Sequence, residues 1–418
     1  MWTLEHYQIL CTRLVSIIYL VYGVCTGKVW LRHLSQLGCI PVKILQFASA
    51  TTLVELSLAQ QEICQEMTDH APAHSSSYSQ QMANPVQGLE ELSDAVLGSG
   101  CIAQVHAGTF EQEACITKVR HPLVRAELWI LWWSAPVVFA YMEWFLGMYG
   151  QQESLCRTIH EQADFCIEAD STTQFHIIAA ATKHRITVPQ ILFVNSDMLI
   201  MSRVDGQHPT IQTVGIARMR HILLRVGGFF LYTGVCFGFC HGDMHSGNIL
   251  YCATTDQVGL IDFGICLRVG SFDQNPLVVL FRFAFTPWDP LLSRHVFFTL
   301  FVGRIYRSDV MERVRALFLA HSHTIPPCSE LVAEIRFLAK EYDISLQLQS
   351  FFYILQMDCI STQLLVCYPD CTLNPLMIMV QEALEYARQA EEPSHVAFLS
   401  GISDRFSQCY GQYLDAML

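Results

Sequence analysis

Charge is scarce in this chain of 418 residues: Asp, Glu, Lys and Arg make up only 15%, against 52% apolar residues. That excess points to a large helical core or to contact with a membrane. Basic residues are scarcer still, 25 Lys and Arg against 38 Asp and Glu, a net charge of −13. A general nucleic-acid binder carries a basic surface, so nucleic acid is excluded as a partner. The 17 cysteines include no Cys-x-x-Cys pair; Cys236/Cys240 and Cys367/Cys371 are spaced by four. Disulfide frameworks belong to short secreted chains, so these read as reduced, mostly buried thiols, and their spacing supports no zinc site. No internal repeat and no Arg-rich leader is visible, and apolar Leu14–Val24 is short for a membrane span. The strongest membrane candidate is Leu128–Tyr149, with Trp129, Trp132, Trp133 and Trp144, and Glu143 as its only charge. It reads as a buried or interfacial helix pair split at Pro136, with membrane association as the alternative.

Two motifs stand out in the second half. His241-Gly242-Asp243-Met244-His245-Ser246-Gly247-Asn248 sets an Asp five residues before an Asn, and Asp262-Phe263-Gly264 follows Asp243 by nineteen. Phosphoryl transfer needs one carboxylate to orient the attacking hydroxyl, here Asp243. It also needs an amide oxygen and a second carboxylate to hold magnesium against the phosphates, here Asn248 and Asp262. The order and the gap are those of protein-kinase-like phosphotransferases. Ile249-Leu250 and Leu260-Ile261 read as strands that pair around a turn and bring Asn248 beside Asp262.

The first half supplies matching parts. Leu97-Gly98-Ser99-Gly100-Cys101-Ile102-Ala103-Gln104-Val105 reads as strand, glycine turn, strand. Positive φ at Gly98 and Gly100 would let backbone amides approach a phosphate. Ala114–Val119 reads as a strand carrying Lys118, in the slot of a kinase's phosphate-pairing lysine; the plainer reading is an edge lysine. Residues 153–182 read as a helix that offers Glu168 as the partner of Lys118, and residues 211–240 as another helix. Val188–Val194 and Met198–Ser202 read as two strands, ending in an Asp205-Gly206 hinge. Residues 67–90, rich in Ser, Gln, Ala and Pro, read as a flexible linker, and residues 27–66 as mainly helix, carrying Lys43 and Gln46. No Ala-Pro-Glu follows Gly264, so the peptide-substrate segment of protein kinases is missing; the remainder reads as helices.

Together these pieces resemble the UbiB family of aarF-domain (ABC1) atypical kinases, tied to coenzyme Q biosynthesis. The likeness runs from about Trp30 to about Arg268. Lys43-Ile44-Leu45-Gln46 is similar to the family's Lys-x-Gly-Gln motif, with Leu45 in place of glycine. Gly98–Val105 resembles the alanine-rich nucleotide loop in the form of the animal aarF-kinase 2 branch. Gln162 to Ala169 resembles the Glu-x-Asp-x-x-x-Glu-Ala helix, with Gln162 for the first glutamate. Gly242 stands where the family has alanine, and Arg203 where an acidic residue is common.

The resemblance implies an α+β, two-lobed protein-kinase-like fold with an N-terminal helical extension and a helical C-terminal lobe. The expected limits are 1–66 for the extension, 67–96 for the linker and start of the N-lobe, 97–205 for the N-lobe with a helical insertion, and 206–418 for the C-lobe. It implies ATP and Mg2+ as cofactors. Gly98, Ser99, Gly100, Cys101, Ala103, Gln104, Lys118 and Gln46 would contact nucleotide. Asp243, Lys118, Glu168 and Lys43 would act in catalysis, and Asn248 and Asp262 would hold the metal. It further implies a membrane-associated, mitochondrial protein, or one of plastids or another membrane, with lipid or quinone-pathway proteins as partners. Two other functions stay open: a non-catalytic scaffold, and a small-molecule phosphotransferase of the aminoglycoside or choline kinase kind, to which Gly242 is closer.

Overall fold

The computed structural model describes residues 73–122, 124–129, 152–183, 185–270, 275–285, 287–302, 305–323, 344–367 and 375–404, with a few isolated positions besides. Lys43, Leu45 and Gln46 lie outside the described residues, as does all but the start of the Leu128–Tyr149 block. The chain divides into two compact units. The first draws on Met1–Leu146, Gln152–Asp170 and Gln190–Arg203, the second on Gly147–Gln151, Ser171–Pro189 and Val204–Leu418. The division falls between Arg203 and Val204, and Ser171–Pro189 groups with the second unit.

The first unit is built on one antiparallel sheet of five strands in the order β1-β2-β3-β6-β5. These are β1 Leu89–Ser99, β2 Ala103–Phe110, β3 Glu113–Arg120, β5 Ile191–Val194 and β6 Met198–Ser202; the short β4, Ile186–Thr187, belongs to the second unit. Period-two alternation sends Leu92, Phe110, Cys115, Val119, Met198 and Ile200 to one face, where they pack with Ala83 and Val86. Ala103, Leu199 and Met201 go to the other, against Phe165 and Ala169.

Residues 67–90 are not a flexible linker throughout. Ser76–Ala83 forms a helix, α1, whose N-cap Ser75 accepts from the amide of Tyr78, and β1 begins at Leu89. The helix escapes a hydrophobic-period reading because it buries Ser79 along with Ala83. Nor do residues 153–182 form one helix: α2 (Gln152–Gln162) and α3 (Phe165–Ala181) are separated at Ala163-Asp164, where the Asp164 carboxylate accepts from the amide of Cys166.

The second unit is largely helical. α4 (Ile211–Val214) and α5 (Ile216–Tyr232) lead into a π-helical turn, Thr233–Phe237, and the short strand β7, Phe239–His241. The expected continuous helix to residue 240 is therefore cut short, and Gly238 at φ +74 makes the reversal. Next come hairpin strands β8 (Ile249–Cys252) and β9 (Gln257–Leu260), then β10 (Cys266–Arg268), which pairs with β7. Downstream are α6 Pro276–Phe285, α7 Pro290–Leu300, α8 Ser308–His323, α9 Leu348–Cys367 and α10 Pro375–Gln389. Pro290 opens α7 in the first turn, capped by Asp289. No helix among the described residues is long and apolar enough to cross a membrane.

The core of this unit is α5 against α9 and α10, and small residues on α5 allow the approach. A Cβ at Gly228 would sit 2.6 Å from the Cβ of Glu382 and 3.1 Å from its main-chain carbon. Glu382 cannot withdraw freely, because its carboxylate holds Arg185 at 2.5 Å. Gly228→Ala is expected to destabilise the fold by about 1–3 kcal/mol through overpacking, read as a lower thermal unfolding midpoint.

Candidate active site

In the first unit the site rests on β3. Lys118, whose side chain is nearly sealed from solvent, donates from Nζ to Oε1 of Glu168 on α3 at 2.5 Å. The edge-lysine reading is thereby set aside: β3 is a central strand flanked by β2 and β6. A charge buried at this depth needs an opposite partner, and removing either one takes that partner from the other. Glu168→Gln and Lys118→Met are each expected to cost about 3 kcal/mol of stability; urea unfolding of both variants checks this.

The glycine turn differs from expectation in its backbone. Gly88, Gly206, Gly215, Gly238 and Gly270 have positive φ; Gly98 and Gly100 do not. Their lack of a side chain leaves open space instead: a Cβ at Gly98 would meet nothing within 4 Å. Gly98 and Gly100 are exposed and Ser99 is half-buried; its Oγ is buried and has no hydrogen-bond partner among the described residues. Cys101, Ala103 and Gln104 point inward. The Gln104 carboxamide is fully buried, accepting from the amide of His74 at 2.9 Å and donating to His106 at 3.1 Å, so it does not reach a ligand. Gln162 is also buried, and neither atom of its amide has a partner among the described residues. Arg203 is exposed, and its amide donates to the Ala114 carbonyl.

In the second unit the two apolar runs pair around a turn as the sequence predicts, forming the β8–β9 hairpin. Ile249 pairs with Leu260, and the amide of Ile261 donates to the carbonyl of Asn248 at 3.0 Å, which sets Asn248 beside the segment entering Asp262. Asn248 Nδ2 donates to the Asp243 carbonyl at 2.8 Å and lies 3.2 Å from His245 Nε2. The bond to Asp243 fixes the orientation of the amide, and Oδ1 is the atom it offers as a ligand. Asp262 is held at φ +61, a conformation an Asp tolerates better than most residues and one that marks functional sites. One carboxylate and one amide oxygen are hard donors suited to magnesium, which keeps water and phosphate oxygens for the rest of its shell. The residues present therefore fit a magnesium-bound nucleotide.

His241 joins the two motifs. Its Nδ1 accepts from the amide of Asp243 at 3.1 Å, and its Nε2 donates to the carbonyl of Ile261 at 3.3 Å. Burial drives its pKa below the ordinary value, more than Asp243, the Ile261 bond and Asp262 raise it, so the ring is neutral. It packs edge-on against Phe263, and Phe175 touches both rings. The Met244 amide donates to Gln356 Oε1 on α9 at 2.7 Å. The closed end of the hairpin is held by Asp256. Its carboxylate accepts from Arg218 (2.8 Å), Arg225 (3.0 Å) and the Tyr251 hydroxyl (2.8 Å). Burial raises the Asp256 pKa, but these partners outweigh it and hold the carboxyl below its usual range. Gly206, expected as a hinge, is packed on the Tyr251 main chain, where a Cβ would stand 2.8 Å away, and Gln207 bonds both ways with Tyr251.

Sequence reasoning missed Gln356, Asp256 and the histidines around Gln104. For Gln356 there was a signal, a carboxamide in the mostly apolar Leu348–Cys367 helix, since a buried polar group needs a partner.

A family model described as the ABC1 atypical kinase-like domain matches residues 61–287. The chain belongs to that family. Proteins of two Mycobacterium tuberculosis strains, both called uncharacterized, are 28% identical over 199 residues, which is 44% of this chain and 40% of theirs. The chain therefore spans well under half the length of those curated relatives. Among solved structures, the Mycobacterium tuberculosis protein Rv3197 with erythromycin shares 17% identity at a TM-score of 0.42, over 69% of this chain and 81% of that one. The Cydia pomonella granulovirus kinase PK-1 shares 11% at 0.27, over 57% and 82%. Both scores lie under 0.5, and the α+β, kinase-like assignment rests on the family match.

Gly242 has a local cause. A Cβ there would stand 2.6 Å from Ile265 Cγ2 and 3.0 Å from Leu267 Cγ. Alanine, which the UbiB resemblance leads one to expect, does not fit beside this isoleucine. Gly242→Ala is expected to lower the unfolding midpoint, and adding Ile265→Ala to restore part of it; thermal melts of the single and double variants decide.

Proposed function

We propose that this chain is a magnesium- and ATP-dependent atypical kinase or ATPase that supports coenzyme Q biosynthesis at a mitochondrial membrane. The observation that carries the enzymatic part is the orientation of Asn248, whose Nδ2 is committed to the Asp243 carbonyl while the next strand sets it beside the Asp262 segment. ATP supplies the transferable phosphoryl group when bound. Lys118, kept in place by Glu168, neutralises charge on the α/β-phosphates; Asn248 Oδ1 and the Asp262 carboxylate hold magnesium; Asp243 orients the acceptor hydroxyl. Lys43 and Gln46 would restrict access to peptide substrates. The coenzyme Q role, the aarF-kinase 2 branch and the location are supported by the family resemblance of the motifs.

A scaffold without turnover is favoured by one observation: the buried Gln162 amide has no partner among the described residues, where the resembling helix carries a glutamate. Gly242 lends no weight to a choline kinase-like reading, since Ile265 accounts for it.

Thermal unfolding of the purified chain with and without Mg-ATP, beside Asp262→Asn, tests the nucleotide site. Ligand at about 100 times its dissociation constant adds roughly 2.7 kcal/mol. The wild type is expected to gain a magnesium-dependent rise in midpoint and Asp262→Asn to lose it; an equal rise in both would overturn the metal assignment. Phosphate release by the wild type alone then separates the enzyme from the scaffold.

A further inference from the structure

Helix α9 is mostly apolar, yet Gln356, Cys359 and Gln363 recur on it at the helical repeat and share one face. Two of them meet the same residue of the loop that carries Asp243. Gln356 Oε1 accepts from the Met244 amide at 2.7 Å. The Cys359 thiol donates to the Met244 carbonyl at 3.8 Å, and Gln363 Nε2 donates to the same sulfur at 3.4 Å. Helix α9 therefore holds Met244 both by its amide and by its carbonyl.

A peptide unit is planar, so the Met244 amide moves with the Asp243 carbonyl. That carbonyl accepts from Asn248 Nδ2 at 2.8 Å and from the His245 amide at 3.1 Å. The peptide between Asp243 and Met244 is thus held at both edges, by Gln356 on one and by the Asn248 amide on the other. The next peptide, between Met244 and His245, carries the carbonyl that Cys359 meets. Two consecutive planes are therefore fixed from α9. Rotating the first would carry the Asp243 carbonyl away from Asn248 Nδ2, and Asn248 Oδ1 would turn with it.

We propose that Gln356 and Cys359 are positioning residues: α9 clamps the two peptides flanking Met244, and through the first of them sets the direction of Asn248 Oδ1. Magnesium accepts only a narrow range of ligand geometry, so a small turn of that amide weakens its hold. Groups that orient a metal ligand govern metal affinity for this reason. Gln356 is the stronger of the two contacts, since a thiol is a weak donor. That the oxygen meets magnesium rests on the proposed function; the clamp itself does not.

The test is backbone hydrogen exchange by mass spectrometry on the full chain without nucleotide, for wild type, Gln356→Met and Ser361→Ala. Methionine keeps the length of glutamine and lacks the acceptor. Ser361 lies on the same helix, but its hydroxyl donates within it, to the Met357 carbonyl at 2.8 Å. Segment 242–249 is expected to exchange up to about tenfold faster in Gln356→Met, the worth of one net hydrogen bond, and at the wild-type rate in Ser361→Ala. Unchanged exchange in Gln356→Met, or equal loosening by Ser361→Ala, overturns the proposal. The second readout is the magnesium concentration that gives half of the Mg-ATP rise in unfolding midpoint. Gln356→Met should need roughly tenfold more than wild type. Asn248→Ala should need more as well, and adding Gln356→Met to it should change nothing further; a full additional shift refutes action through Asn248. Should Gln356→Met not fold, NMR exchange of the Met244 amide in the wild type decides: protection like that of α9 amides supports the clamp, and exchange like that of exposed loop amides refutes it. If the wild type shows no magnesium-dependent rise, the proposed function fails and the exchange result still judges the clamp.

Discussion

The second unit turns on a ring that water cannot reach. His241 is sealed among Phe263 and Phe175, and its two nitrogens bond in opposite senses to the main chain at Asp243 and at Ile261. A buried imidazole must satisfy both nitrogens, and a neutral one does so by accepting with one and donating with the other. That requirement ties the loop of Asp243 to the strand entering Asp262. Asn248 then falls into place, because its amide donates to the same Asp243 residue whose own amide His241 accepts.

Those parts were legible because they are short-range. The Asp243–Asn248 interval and the β8–β9 hairpin involve neighbours in sequence, and alternation of apolar residues fixes their pairing. The Lys118–Glu168 pair was found from order along the chain, though fifty residues separate the two. Polar burial was not legible. Helix α1 was read as linker because its inward side carries Ser79, and the hydrogen-bonded set of His74, His106 and His121 shows no hydrophobic period. Gln104 falls within the nucleotide-loop motif, yet its amide serves the interior. The break at Ala163-Asp164 rests on one side-chain bond to the backbone, which helix propensity does not register.

Departures from the family pattern divide by cause. Gly242 answers to Ile265, a packing matter within one loop. Gln162 has no such explanation: an uncharged amide sits buried with nothing among the described residues to bond it. A buried unpaired amide is costly, and no packing neighbour among the described residues offsets that cost here.

The turn at residues 253–256 has the look of a permissive surface loop, polar and largely exposed. Such tips usually accept tags and insertions. This one is the clasp of the hairpin, closed by Arg218, Arg225 and Tyr251 on Asp256, which itself sits at φ +53. The hairpin's far end carries Asn248 and leads into Asp262, and a slip of one residue in a strand turns every side chain to the opposite face. For anyone building reporters into this protein, this exposed hairpin tip is therefore a place to avoid.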